Sequence, residues 1–158
     1  MQFVSESLID EVVAFMDQNQ DQLESMVEQF HEQQPVIFGY IFSENLTILH
    51  QEEREFVLFL LLIIINAAKK ANGEFPAIDV KDFEVAEEQN WSLLEGTGAK
   101  SFRDRLDVFF DQTEQEDLLA FIEDALSDSE DGLASKEGRE VVFVFLKSVV
   151  DCLEKLKH

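Results

Sequence analysis

Apolar residues recur at intervals of three and four along almost the whole chain. Ile9, Val12, Val13 and Met16 form one such set, and Leu23, Met26, Val27 and Phe30 the next. Phe102, Leu106, Phe109 and Phe110 follow the same rule, as do Leu118, Ile122, Ala125 and Leu126, then Val142, Phe145, Val149, Cys152 and Leu156. Such spacing gathers side chains on one face of an α-helix. No segment alternates convincingly with the period of two that a half-buried strand needs. The pattern predicts helices over 6–17, 20–33, 35–44, 51–72, 80–95, 101–111, 114–127 and 135–157. The segment 80–95 has the thinnest regular face, made of Phe83, Ala86 and Leu94.

Local chemistry punctuates these helices. Asn19 with Gln22 and Thr113 with Glu116 have the spacing of reciprocal N-terminal caps. Pro35 suits the first turn of a helix, where a missing N–H costs nothing. His50 stands at the start of the long helix, as a candidate cap, and Ser135 before the last one. Asn72-Gly73 stops the long helix, with Lys69 and Lys70 at its negative end. Gly96 and Gly98 close another.

Phe56 to Ile65 is an uninterrupted apolar run. A membrane span needs about 20 such residues, and this run lies between Glu52-Glu53-Arg54-Glu55 and Lys69-Lys70. A helix that is apolar all round is then expected at the centre of a folded domain. The expected fold is all-α, a compact bundle of seven to eight helices in a single domain over 1–158. Arg54 to Leu61 can be laid on Arg139 to Leu146, each opening the most apolar helix of its half. An internal duplication, with pseudo-repeats 1–73 and 77–158, is therefore an expectation. It would set the two long helices, 51–72 and 135–157, against each other at a pseudo-twofold axis.

Charge changes the picture most. The chain carries a formal −22. That field repels a phosphate backbone and an anionic membrane surface, so neither nucleic acid nor membrane is an expected partner. The acidity is uneven. The first basic residue is Arg54, and residues 1–53 hold eleven carboxylates without a single Lys or Arg. Asp10, Asp17, Asp21, Glu24, Glu28 and Glu32 are the expected contributors to an acidic N-terminal face. Such a face either docks a basic protein or is a solvated surface neutralised in part by Lys100, Arg103 or Arg105. Fifteen Phe against one Tyr and one Trp suggest mainly core filling, with a homodimer interface as an alternative use of the surplus.

The candidate chemistry is sparse. One cysteine, Cys152, excludes an internal disulfide and is expected to be a buried thiol. The N-terminal residues lack the basic start and apolar stretch of a signal peptide, which makes a cytoplasmic location the expectation. Glu28-x-x-His31 has the spacing of a di-iron half-site, but no second Glu-x-x-His accompanies it. His50 with Glu53 offers acid–base types without a nucleophile beside them. Asp128 to Gly132 invites a calcium reading, but the twelfth loop position falls on Gly138 instead of Glu. Lys100 to Arg105 alternates base with acid and lacks a Gly-rich phosphate loop. Tyr40 and Trp91 are single amphipathic aromatics, expected to be half-buried. No catalytic residue, metal site or cofactor is assigned. The expected function is a non-catalytic protein–protein interaction domain, whose partner is a basic protein or a second copy. The alternative is a metal-binding helical protein or enzyme built on carboxylates with His31 or His50.

Overall fold

A computed structural model describes residues 1–127 and 135–157. The acidic turn at Asp128–Gly132 and the terminal His158 lie outside the described residues. Among the described residues eight α-helices run in order: α1 (Glu6–Gln18), α2 (Leu23–Gln33), α3 (Pro35–Ile41), α4 (Gln51–Asn72), α5 (Val80–Gly96), α6 (Phe102–Phe110), α7 (Glu116–Ser127) and α8 (Lys136–Leu156). Short 3-10 turns at Gln20–Gln22 and Glu44–Leu46 precede α2 and α4. No strand occurs among the described residues.

Helix starts follow the side-chain chemistry. Ser5, Ser101 and Ser135 accept the N–H groups of Leu8, Asp104 and Gly138. Asp79 accepts from Lys81. His50 caps α4, and Glu53 reaches back to its backbone N–H at 3.0 Å. Two expected caps form differently. The Asn19 side chain makes no cap bond, because a 3-10 turn separates it from α2. The Thr113 hydroxyl accepts from Gln115, two residues on, and α7 begins only at Glu116. Gly73, at φ 82°, ends α4 in a conformation a Cβ would strain.

α8 and α4 carry the core. Val142 to Val150 are all buried, including Lys147 and Ser148, and Leu60 to Ile65 are buried on α4. α5 is a full helix despite its thin apolar face, because Asn90 completes that face and is 2% exposed. Its amide donates to Ser148 Oγ at 3.0 Å and to Asp151 Oδ2 at 2.9 Å on α8. The expected use of Phe holds only partly. Phe30, Phe83, Phe102, Phe109, Phe143 and Phe145 are buried, whereas Phe3, Phe15 and Phe42 are exposed and the rest lie between. None of the helices among the described residues is long and apolar enough to cross a membrane.

The most extensive helix contact joins α5 to α8, and the next joins α1 to α4. α2 packs on α3 as α6 does on α7, and α3 on α4 as α7 does on α8. The two long helices themselves meet over a short stretch. The expected seam between them is minor, because each is covered chiefly by a helix of its own half.

Two buried glutamines tie the halves together. Gln34, just before α3, is 3% exposed and clasps the segment leading into α5. Its amide donates to the Pro76 carbonyl at 2.9 Å, and its oxygen accepts from Ile78 N at 2.8 Å. Gln115, just before α7, is 1% exposed and clasps the segment leading into α1. It donates to the Gln2 carbonyl at 3.1 Å and accepts from Val4 N at 3.0 Å. Extended backbone has no internal partners, so each clasp satisfies an N–H, of Ile78 or of Val4, that folding would otherwise bury unpaired.

Candidate functional site

Asp10, Asp17, Asp21, Glu24, Glu28 and Glu32 are all exposed. Asp10 and Asp17 stand two turns apart on one side of α1. Glu24, Glu28 and Glu32 form a single ridge along α2, at i, i+4 and i+8. None of the six has an ion-pair partner among the described residues. Two of the basic groups expected to neutralise them, Arg103 and Arg105, are occupied elsewhere. Arg103 lies on Glu123 at 2.6 Å and Asp124 at 3.4 Å, and Arg105 on Glu140 at 2.7 Å. Arg54 turns its guanidinium to the carbonyls of Leu46 and Leu49. Lys69 reaches Glu74 at 3.1 Å, and Lys155 reaches Asp82 at 2.8 Å. Of the N-terminal helices' carboxylates, Glu11 takes Lys70, at 3.5 Å across an exposed gap.

An aromatic strip lies beside the α2 ridge. His31, exposed in the last turn of α2, stacks on Phe38 of α3 with centroids 4.0 Å apart and planes at 17°. Phe38 in turn meets Phe42 at 5.3 Å, and Phe42 is 41% exposed. α3 keeps Ile37 and Ile41 inward, so Phe38 and Phe42, one turn apart, emerge at its margin. The sequence offered this pair only as part of a short apolar helix, and periodicity alone does not say which apolar positions lie outside the core.

Between α1, α2 and the end of α4 runs a groove of about 350 Å³, lined by Val12, Phe15, Met26, Asn66, Lys69 and Lys70. Phe15 is 45% exposed at its lip. At about 100° per residue, Asp10 and Asp17 lie on the far side of α1 from Val12 and Phe15. Glu24, Glu28 and Glu32 likewise turn away from Met26. The acidic positions of α1 and those of α2 therefore both lie away from the groove.

Several buried and half-buried polar groups pair with one another. Lys147 and Asp151 form an ion pair on α8 and share it with Asn90. The Tyr40 hydroxyl donates to Glu87 Oε2, joining α3 to α5, within a cluster with Phe83 and Phe145. Burial, chiefly, raises the pKa of both Tyr40 and Glu87, while the Tyr40 hydrogen bond opposes the shift in Glu87. Burial next to Asp151 pushes the Cys152 thiol up to about 12, which suppresses the thiolate. Trp91 is half-buried on α5. Among the described residues, no group of three or more His, Cys, Asp and Glu is placed to hold a metal ion. Glu28 and His31 share a helix, but the ring of His31 lies on Phe38.

No known family, curated protein or solved structure matches the chain.

Proposed function

We propose that this protein is a non-catalytic interaction domain whose acidic α1–α2 face meets a basic partner protein. The reading rests on one observation: six exposed carboxylates on α1, α2 and the turn between them lack an ion-pair partner among the described residues, while Arg54, Arg103 and Arg105 pair or bond elsewhere. An unneutralised face of one sign steers an oppositely charged partner and rejects like-charged ones. A second copy of the chain would set carboxylate against carboxylate, so a different, basic protein is the better complement.

The test must separate this face from bulk charge. Polylysine binding is measured for two variants of equal net charge. One neutralises Asp10, Asp17, Asp21, Glu24, Glu28 and Glu32 as amides; the other neutralises Glu84, Glu88, Glu95, Asp107, Asp111 and Glu114. The first is expected to weaken binding far more than the second, with an effect that fades in salt. Equal losses would reduce the face to part of a general acidic field.

We also infer that 1–73 and 77–158 are copies of one four-helix unit. The matching helix pairings and the two equivalent glutamine clasps support this.

A further inference from the structure

The outer face of the α2–α3 hairpin combines two chemistries. One is the carboxylate ridge of Glu24, Glu28 and Glu32; the other is the aromatic strip of His31, Phe38 and Phe42. His31 lies one turn from Glu28 and two from Glu24, so ridge and strip share a border. We propose that this face docks an arginine-bearing segment of the partner, with guanidinium groups stacked on the aromatic strip and paired to the ridge. The inference rests on the acidic-face reading above and narrows its partner from basic to arginine-bearing.

The choice of arginine follows from the surface. A lysine ammonium is a compact, strongly hydrated charge that any carboxylate can attract. A guanidinium is planar and more weakly hydrated, so it can lie on a ring face while its N–H fork meets carboxylates. A ridge of carboxylates alone would not prefer either. The exposed rings of His31 and Phe42 beside it do.

Gly39 supplies an independent observation. It sits in the last turn of α3, between Phe38 and the C-capping Phe42, without a positive φ and with nothing within 4 Å of where a Cβ would be. Glycine has a lower helix propensity than alanine. Neither a turn nor a close internal contact requires it here. Its effect is to leave the backbone bare on the outer surface next to the rings, where an approaching chain would need room. The second half shows the complementary arrangement filled from within: on the α6–α7 hairpin, Arg103 reaches both Glu123 and Asp124. The α2–α3 hairpin has no Lys or Arg of its own in sequence.

The experiment titrates the full chain with a labelled arginine-rich peptide and with the same peptide carrying lysine at every arginine, at low salt. The arginine peptide is expected to bind about fivefold tighter. Gly39→Gln, which has open space to occupy, is expected to remove that advantage while leaving the lysine peptide unaffected and the thermal midpoint unchanged or raised. Phe42→Ser, at an exposed position, is the second variant and is expected to act in the same direction. Equal affinity for the two peptides would overturn arginine docking, and so would an arginine preference that survives both variants. If Glu24→Gln, Glu28→Gln and Glu32→Gln together abolish binding of two equally bound peptides, the acidic face stands and the aromatic strip does not. If neither peptide binds the wild-type chain, both readings fall.

Discussion

Gln34 and Gln115 make the same pair of hydrogen bonds at corresponding places in opposite halves of the protein. Each precedes the third helix of its half, and each holds the segment that enters the first helix of the other. The halves are thus latched reciprocally, through side chains that periodicity does not mark.

Gln34→Ala and Gln115→Ala should each destabilise the fold by about 2 kcal/mol, since each strands a buried backbone N–H. Chemical denaturation measures the cost. Comparable losses are expected from the two sites; a value near zero at either would mean that the segment it holds is secured by packing alone.

The Tyr40–Glu87 bond predicts a pH dependence. Burial raises the folded-state pKa of Glu87 above 4.5, so the stability tied to its protonated form is present at low pH and lost as pH rises through the folded value. Glu87→Gln should therefore gain stability relative to wild type between acid and neutral pH. Tyr40→Phe removes the hydrogen bond that holds the Glu87 pKa down, and should steepen the loss. Thermal melts across this range give the answer; parallel profiles for all three proteins would contradict it.

The ridge of Glu24, Glu28 and Glu32 contains two like-charge pairs one turn apart. Converting Glu28 to Gln relieves both and should stabilise the domain by about 0.5 kcal/mol at low ionic strength. The gain should shrink in high salt, where charges more than a few ångströms apart are screened. A gain independent of salt would point away from charge repulsion.

Cys152 is 4% exposed, with its thiol pushed up to about 12. It should resist alkylation at neutral pH in the folded protein and react readily once denaturant is added. Fast labelling under native conditions, followed by mass spectrometry, would refute this account of its surroundings.

The helices themselves were largely legible. The spacing of apolar residues located all eight, and the expected 51–72 helix coincides with α4. The main departures came at starts and ends, where side-chain chemistry competes. The 3-10 turns at Gln20–Gln22 and Glu44–Leu46 shortened two predicted helices, and Thr113 served a turn instead of a cap. The acidic positions were also legible, because a charged residue opposite an apolar face is exposed by default. Phe38, Phe42 and Gly39 were not legible as a surface. An apolar residue at a helix margin can be covered or bare, and only the neighbouring elements decide.

By itself the sequence determined that this chain is all-helical, where most helices fall, which helix faces are apolar, and that its first 53 residues carry no Lys or Arg against their carboxylates. Those properties follow from local period and composition. Tertiary structure decided which helices meet, that the long helices pack within their own halves, and that two glutamines cross between them. It also sent Arg103 and Arg105 to carboxylates of the second half, leaving the N-terminal face without those counter-charges. The physical reason is one of range. Helix periodicity is fixed by neighbours three or four residues away, whereas a glutamine clasp or an ion pair depends on groups that folding brings together from distant parts of the chain.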